Sequence, residues 1–234
     1  MFKLKEVRSE QTRESILESA LQLFRQRGIE GATMREIAQR AGVALGAAYY
    51  YFPGKEAIVQ AYYERVQAEH ARRVKEALKE TKLDFGERLR IVFHSKLEIL
   101  KDDRPLLAAI FRYTGEPLHP LSCLGPATRS LREESIGTFR RALDAEDLPA
   151  DLAKLLPVAL WALHMGVLVY FIYDNSGEQQ RTRRLVDGAI ELIARLLSLA
   201  KFPLFRPFRG RLATLLEEAG LLEGAIPIPT ENAE

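Results

Sequence analysis

The sequence predicts an all-α protein, with a small three-helix unit at the amino end and a larger helical domain behind it. Apolar residues recur at three- and four-residue intervals along most of the 234-residue chain, and no segment alternates with the period of a strand. Between Thr33 and Phe52, two short helical patterns meet at a single glycine, a spacing too tight for an ordinary helical hairpin. At 234 residues there is room for one small and one medium domain, and a hydrophobic fraction of 47 % is that of an ordinary globular protein.

The first helix is expected from about Ser9 to Arg27, with Ile16, Leu17, Ala20, Leu21 and Phe24 as its buried stripe. The second opens on a capping box: the Thr33 hydroxyl can accept from the Glu36 amide while the carboxylate reaches back to Thr33. Met34, Ile37, Ala38 and Ala41 share one face of it, and Arg35, Gln39 and Arg40 take the other. Gly42 ends this helix where a left-handed residue is needed, and Val43 returns to the core.

The third helix is expected over Leu45 to Tyr51, and Gly46, Ala47 and Ala48 leave its middle almost without side chains. In a packed helix that wastes burial, and Gly46 costs about 1 kcal/mol relative to Ala. The composition makes sense if the backbone must lie close against another surface. Tyr49, Tyr50 and Tyr51 follow at about 100° per residue and span roughly 200° of the circumference, so at least one phenol points outward. Such a phenol is a good donor to a phosphate oxygen. Phe52 turns inward, Pro53 and Gly54 break the chain, and Lys55 opens the next helix against the helix dipole, which suggests an external anion as its partner. This is the layout of a helix-turn-helix, which pushes one short helix into the major groove of DNA. The plainer reading, a small helical subdomain with core tyrosines and a solvated lysine, does not account for the order of these signals.

Further helices are expected over Lys55 to about Glu80, Leu83–Lys101, Asp103 to about Tyr113, Ala127–Leu143, Ala150–Tyr173 and Gln179–Ala200, with a loop at Gly115–Pro126. Leu155 to Tyr173 runs nineteen residues without Lys, Arg, Asp or Glu, which meets the length test for a membrane span. Pro157 and His164 within it, and the lack of any second such segment, favour a helix packed on its own domain on one side and on a partner subunit on the other. Leu185, Val186, Ala189, Ile193 and Leu196 on the following helix supply a complementary stripe.

The run T-x-R-x-I-A-x-x-A-G-V, then G, then Y-x-Y-F-x-x-K-E-A resembles the DNA-binding domain of the tetracycline-repressor (TetR) family of bacterial transcription regulators. It is carried here by Thr33, Arg35, Ile37, Ala38, Ala41, Gly42, Val43, Gly46, Tyr49, Tyr51, Phe52, Lys55, Glu56 and Ala57, within roughly residues 10 to 60. The resemblance implies DNA contacts at Thr33, Arg35, Leu45, Gly46, Ala47, Tyr49, Tyr50, Tyr51 and Lys55. Three positions depart from the family pattern: Ala44 stands where a Ser cap is common, Leu45 where Lys or Arg is frequent, and Ala47 where Thr is typical. Few hydrogen-bonding side chains are thus offered to base edges. Leu45 and Ala47 are expected on thymine methyls, Tyr49, Tyr51 and Lys55 on phosphates, and Arg35 as the polar reader.

The resemblance also implies a homodimer on an inverted-repeat operator, formed by pairing the last two long helices with their copies, Gly166 permitting close approach. It implies domains at residues 1–55, 56–200 and an extension at 201–234. It further implies a small-molecule cavity in the larger domain whose occupancy controls DNA affinity, repression relieved by ligand being the family default. The candidate lining is Phe93, His94, Leu97, Ile110, Phe111, Tyr113, Trp161, His164, Met165 and Leu168, of which the last four share one helix face. With no buried charge evident, an uncharged aromatic or acyl ligand is expected.

Net charge is +2, with nine basic and six acidic residues in positions 1–55 and 25 basic and 26 acidic thereafter, so the modest excess lies on the DNA-binding end. A single cysteine, Cys123, excludes an intrachain disulfide and a multi-thiolate metal site; a redox role is the lesser reading beside an incidental buried thiol. No signal-peptide pattern opens the sequence, which favours the cytoplasm. No nucleophile elbow, phosphate loop or metal-spaced His pair points to an enzyme, and no cofactor or metal is expected. A DNA-binding protein without an effector remains the alternative. In the extension, Lys201–Gly210 interleaves Phe, Pro and Arg, and a short helix over Arg211–Leu222 is expected to bury Leu212, Leu215, Leu216 and Ala219, packed on its own subunit or extending the dimer contact. A basic membrane anchor is the weaker alternative there, and the last ten residues are expected to be disordered.

Overall fold

Helix α1 (Phe2–Arg27) begins seven residues before the expected Ser9, and buries Ile16, Leu17, Ala20, Leu21 and Phe24 in a core shared with the short helix α2 (Met34–Arg40), on which α3 (Leu45–Tyr51) packs in turn. The computed structural model describes residues 2–80 and 82–218. Among the described residues it is built of ten α-helices and short 3-10 turns, with no strand.

The expected capping box is formed at α2, where Glu36 N donates to Thr33 Oγ1 at 3.2 Å and Thr33 N donates to Glu36 Oε2 at 2.9 Å. Its far end is a Schellman turn: Val43 N donates to Ala38 O at 3.0 Å and Gly42 N to Gln39 O at 3.2 Å, with Gly42 at φ +69°. Val43 and Ala41 pack on the core only partly buried.

Helix α4 (Lys55–Ala77) starts in the amino-terminal unit and runs out of it. Ile58, Val59 and Tyr62 complete the core under α1, while Gln67, His70 and Val74 are buried against later helices. Helix α5 (Phe85–Leu100) has its own capping box, Asp84 with Glu87, and Arg88 ties it to the end of α7 (Arg129–Leu143) by bonding Ala142 O at 2.9 Å and Glu146 at 2.5 Å. The 3-10 turn Lys101–Asp103 leads to α6 (Arg104–Thr114) with Pro105 in its first turn. Arg104 then caps the carboxyl end of α8 (Ala150–Tyr173), donating to Phe171 O and Ile172 O, both at 3.0 Å.

The α8–α9 corner is held by one carboxylate. Asp174 accepts from Ser176 N and Oγ (2.9 and 2.7 Å) and from Thr182 N and Oγ1 (2.8 and 2.7 Å). These bonds fix the start of α9 (Gln180–Ala200) and offset two left-handed residues, Glu178 at φ 52° and Gln179 at φ 50°. Helix α8 packs mainly on α7 and also on α5, α6, α9 and α10 (Arg206–Glu218). It is long and apolar enough by composition to cross a membrane, yet Leu152, Leu155, Leu160, His164, Val167, Leu168 and Phe171 lie buried within this one chain.

The extension departs from expectation. Its helix begins at Arg206, Leu212 and Leu215 are exposed and Leu216 is half-buried, while the buried residue is Arg209, which pairs with Asp151 at 3.1 Å and donates to Ala200 O at 2.7 Å. A single cation anchors α10 here, in place of a leucine stripe. Ala219, the rest of the expected helix to Leu222 and the tail lie outside the described residues.

One consequence concerns Ala44, the N-cap of α3, which makes no side-chain capping bond. Ala44→Ser should raise stability by about 1 kcal/mol, within the roughly 0.5–2 kcal/mol range of such caps. A rise in the urea midpoint at unchanged m-value would show it.

Candidate functional site

The outward face of α3 is bare. Ala44 and Gly46 are exposed, Leu45 and Ala47 are half-buried, and only Ala48 is fully buried. A Cβ built on Gly46 meets nothing within 4 Å, so packing inside the chain does not require glycine there. Tyr50 is 81 % and Tyr49 49 % exposed, and Thr33 and Arg35 stand exposed at the start of α2.

Two expected phosphate contacts are already engaged within the protein. Tyr51 OH lies 3.1 Å from Ser9 Oγ, its ring packed on the core, and Lys55 Nζ donates to Ile29 O at 2.8 Å. The lysine at the start of α4 therefore neutralises an internal carbonyl where an external anion was expected. Of the three tyrosines, Tyr49 and Tyr50 are the free phenols.

The larger half holds a partly open cavity of about 130 Å³ between α4, α5, α6, α7 and α8. Five of the ten expected residues line it: Phe111, Trp161, His164, Met165 and Leu168. The others are placed elsewhere. Phe93, Leu97 and Ile110 are solid core, and the Phe93 ring sits 5.2 Å from the His164 ring. His94 faces α9 and bonds Asp187 at 2.9 Å. Tyr113 turns toward the amino-terminal unit, where its hydroxyl bonds Glu30 and its ring stacks on His119 at 4.6 Å. Tyr62, Tyr63, Val66 and Gln67 of α4 form the wall that was not foreseen. Residues of the 115–128 loop close one side, tied down by Arg132, which donates to Cys123 O at 3.0 Å and Gly125 O at 3.2 Å. Burial pushes the Cys123 thiol up, so it is not an activated thiolate.

The expectation of a charge-free cavity is also corrected, because Lys96 lines it at 6 % exposure. Its ammonium donates to Gln67 Oε1 at 3.1 Å, and Gln67 Nε2 donates on to Thr138 Oγ1 at 3.3 Å. The signal was in the sequence: Lys96 falls within the core stripe Leu89, Val92, Phe93, Leu97, Leu100, whose members are all buried. Burial holds the amine at about 7, well below its ordinary 10.5. Burial and Lys96 together keep His70 down at about 3 and His164 well below its ordinary value, so both imidazoles are neutral. His70 Nε2 bonds Val92 O at 2.9 Å, whereas neither ring nitrogen of His164 has a hydrogen-bond partner among the described residues.

From the cavity a short polar chain leads to α1. Tyr62 OH donates to Asp103 Oδ2 at 2.8 Å, and Arg25 Nε donates to Asp103 Oδ1 at 2.6 Å. Burial, and after it Asp103, holds the Tyr62 hydroxyl far above its ordinary range, so it remains a donor.

The expected dimer stripe is split. Val186 is buried and Ala189 and Ile193 are half-buried, on the side of α9 that meets α5, while Leu185 (48 %) and Leu196 (62 %) are exposed. Leu192 (60 %) and Leu199 (52 %), outside the expected stripe, continue the exposed row, so that it runs Leu185, Leu192, Leu196, Leu199 along one helix face. On α8 a parallel row of Ala159, Ala162, Gly166, Val169 and Tyr173 is likewise exposed.

A capped helix, a Gly turn and a bare second helix, mounted on a helical domain with an internal cavity, define a helix-turn-helix DNA-binding regulator. Comparison with known proteins agrees: residues 16–62 match the bacterial regulatory proteins of the tetR family, and residues 88–209, over half the chain, match the tetracyclin repressor-like C-terminal domain. The chain belongs to the tetracycline-repressor family and is a transcriptional regulator of that family. It is 29 % identical to the HTH-type transcriptional regulator AcrR of Shigella flexneri over 154 residues, 62 % of this chain and 70 % of that one. It is 43 % identical to the regulator SrpR of Pseudomonas putida over 53 residues, 23 % of this chain and 25 % of that one, so this likeness spans only a quarter of the relative. Among solved structures, a TetR-family regulator from Syntrophomonas wolfei superposes with a TM-score of 0.65 at 18 % identity, covering 79 % of this chain and 95 % of that one. The regulator FadR of Bacillus subtilis, solved with stearoyl-CoA, gives 0.60 at 19 % identity, covering 76 % and 96 %.

Two outcomes follow. Gly46→Ala should stabilise the free protein by about 1 kcal/mol and weaken DNA binding about tenfold, equivalent to about 1.4 kcal/mol, read by urea melts and fluorescence anisotropy. For Lys96, the unfolded chain keeps a proton that the folded chain releases above about pH 7, so stability should rise with pH from about 7 to about 8.5. That window lies below the ordinary thiol value of 9.0 and above both buried imidazoles. In Lys96→Met this slope of urea midpoint against pH should vanish.

Proposed function

We propose that the chain is a homodimeric repressor that reads an inverted-repeat operator and is released when a small molecule occupies the cavity. The observation that carries the reading is the bare, exposed rod of α3, with Gly46 where nothing inside the protein demands glycine. Leu45 and Ala47 suit thymine methyls, Tyr49 and Tyr50 suit phosphates, Arg35 is exposed and can reach a base edge, and Thr33, whose hydroxyl donates to Glu36 Oε2 at 2.8 Å, holds the start of α2. Tyr51 and Lys55 act indirectly, by fixing α3 and α4 against α1 and the Ile29 turn. One helix this short binds weakly alone, and the exposed rows on α8 and α9 supply the apolar seam a two-fold partner would cover.

The control step follows from α4, which runs from the helix-turn-helix core to the cavity wall. Tyr62 lines the cavity and bonds Asp103, which holds Arg25 of α1. A ligand that displaces the Tyr62 ring thus acts on the helix that carries α2 and α3. A coupling of about 1–3 kcal/mol changes DNA affinity roughly 5–150-fold.

Selection of bound duplexes from a random pool should recover an inverted repeat with half-sites roughly 34–36 Å apart. Leu192→Glu should convert the protein to a folded monomer by sedimentation and abolish tight binding to the selected DNA. Recovery of single half-sites, or an unaltered dimer in that variant, would count against the assembly.

A further inference from the structure

We propose that the cavity takes a small apolar molecule bearing one carboxylate, held at its head by the Lys96 ammonium with the His164 ring beside it. This rests on reading the cavity as an effector site and adds the chemistry of the ligand.

Lys96 occupies a core position of α5 where packing alone would favour an apolar side chain. Its one hydrogen bond goes to a neutral amide, Gln67, and no carboxylate among the described residues pairs with it. A buried ammonium without a counter-charge is costly to keep. His164, 2 % exposed, adds a neutral imidazole with both nitrogens unbonded, one of them a donor. Arg132, which also lines the cavity, fixes the loop that closes one side of it. Two donors therefore face an otherwise apolar wall of Leu107, Phe111, Trp161 and Leu168.

Each ligand class meets this wall differently. A cation would be repelled, and a neutral molecule would leave the lysine uncompensated. A carboxylate would restore the ammonium and form a charge-assisted hydrogen bond. Because part of the Lys96 population is neutral near pH 7, the bound complex takes up a proton from solvent, which strengthens binding as pH falls toward 7. The volume of about 130 Å³ is close to the roughly 150 Å³ of an engineered cavity that holds benzene, so the apolar part is one ring or a short chain.

The test compares benzoate and hexanoate with benzyl alcohol and hexanol, by calorimetry and by release of the selected operator, using full-length protein. Wild type should bind each acid at least about tenfold tighter than its alcohol, equivalent to about 1.4 kcal/mol, because only the acid forms a charge-assisted hydrogen bond. In Lys96→Met that preference should fall to about onefold while operator binding persists, and Lys96→Gln serves the same purpose should the first variant not fold. Equal or tighter binding of the alcohols overturns the carboxylate class and leaves the effector reading standing. A preference that survives in the variant overturns the role of Lys96. Binding of neither class by protein that still binds its operator counts against both.

Discussion

The constraint on which the architecture depends is that α4 belongs to two structures at once. Its first turns, through Ile58, Val59 and Tyr62, close the core beneath α1, and its next turns, from Tyr62 to Gln67, wall the cavity. Tyr62 stands at the overlap, 1 % exposed, with its ring on the cavity side and its hydroxyl on Asp103. Because Asp103 sits in the 3-10 turn between α5 and α6, the same carboxylate ties the amino-terminal unit to the start of α6. Lys55 on Ile29 O and Tyr113 on Glu30 make two further ties at the turn before α2. The buried cluster accordingly runs without a break from Ile16 to Ile190. A tilt of α4 cannot be absorbed at a loose linker and must be shared with α1 or α6, since packed interiors transmit strain.

The parts legible in sequence are those governed by local rules. The Thr33–Glu36 box, the Gly42 stop, the limits of α3 and both ends of α8 follow from capping, glycine conformation and apolar period within a few residues. Residue roles that depend on what lies opposite were less legible. Tyr51 and Lys55 carry the same side chains in either role, and only Ser9 and the Ile29 carbonyl, 42 and 26 residues away in sequence, show where they are directed. Likewise Phe93 and Leu97 share a helix with Lys96 but face solid core, since which side of an amphipathic helix meets a void depends on its neighbours. Lys96 is the instructive miss: a charge inside a core stripe is a local irregularity, visible in sequence, that the apolar pattern around it obscured.

The two faces of α9 show the same limit. One helix carries leucines on two sides, with Val186 and Ile190 on α5 and Leu185, Leu192, Leu196 and Leu199 exposed. A stripe drawn from sequence merged them, because apolar residues on adjacent sides are indistinguishable until one side is filled. The extension adds Phe202, Phe208, Leu212 and Leu215 to the exposed apolar surface of the chain, while Arg209 turns inward and is, among the described residues of α10, the one fully buried. A monomer rarely leaves so many large apolar groups in water, which gives this surface the character of an interface.

The distribution of polarity sets the two functional surfaces apart. Helix α3 has surrendered side chains where it faces outward, so it can offer shape, methyl contacts and backbone proximity but little hydrogen-bonded base readout. In the proposed reading its specificity leans on the flanking, exposed Arg35 and on the deformability of the duplex it meets. The cavity does the opposite, retaining a lysine and one imidazole, His164, in an interior that packing would rather see apolar. Unpaired polar groups in a low-dielectric interior destabilise the empty state and are relieved only by a matching ligand, whereas a filled apolar core would gain nothing from one. In the function proposed above, that asymmetry lets a sparsely hydrogen-bonding DNA surface and a cavity with a buried cation coexist in one chain, joined by α4, the helix they share.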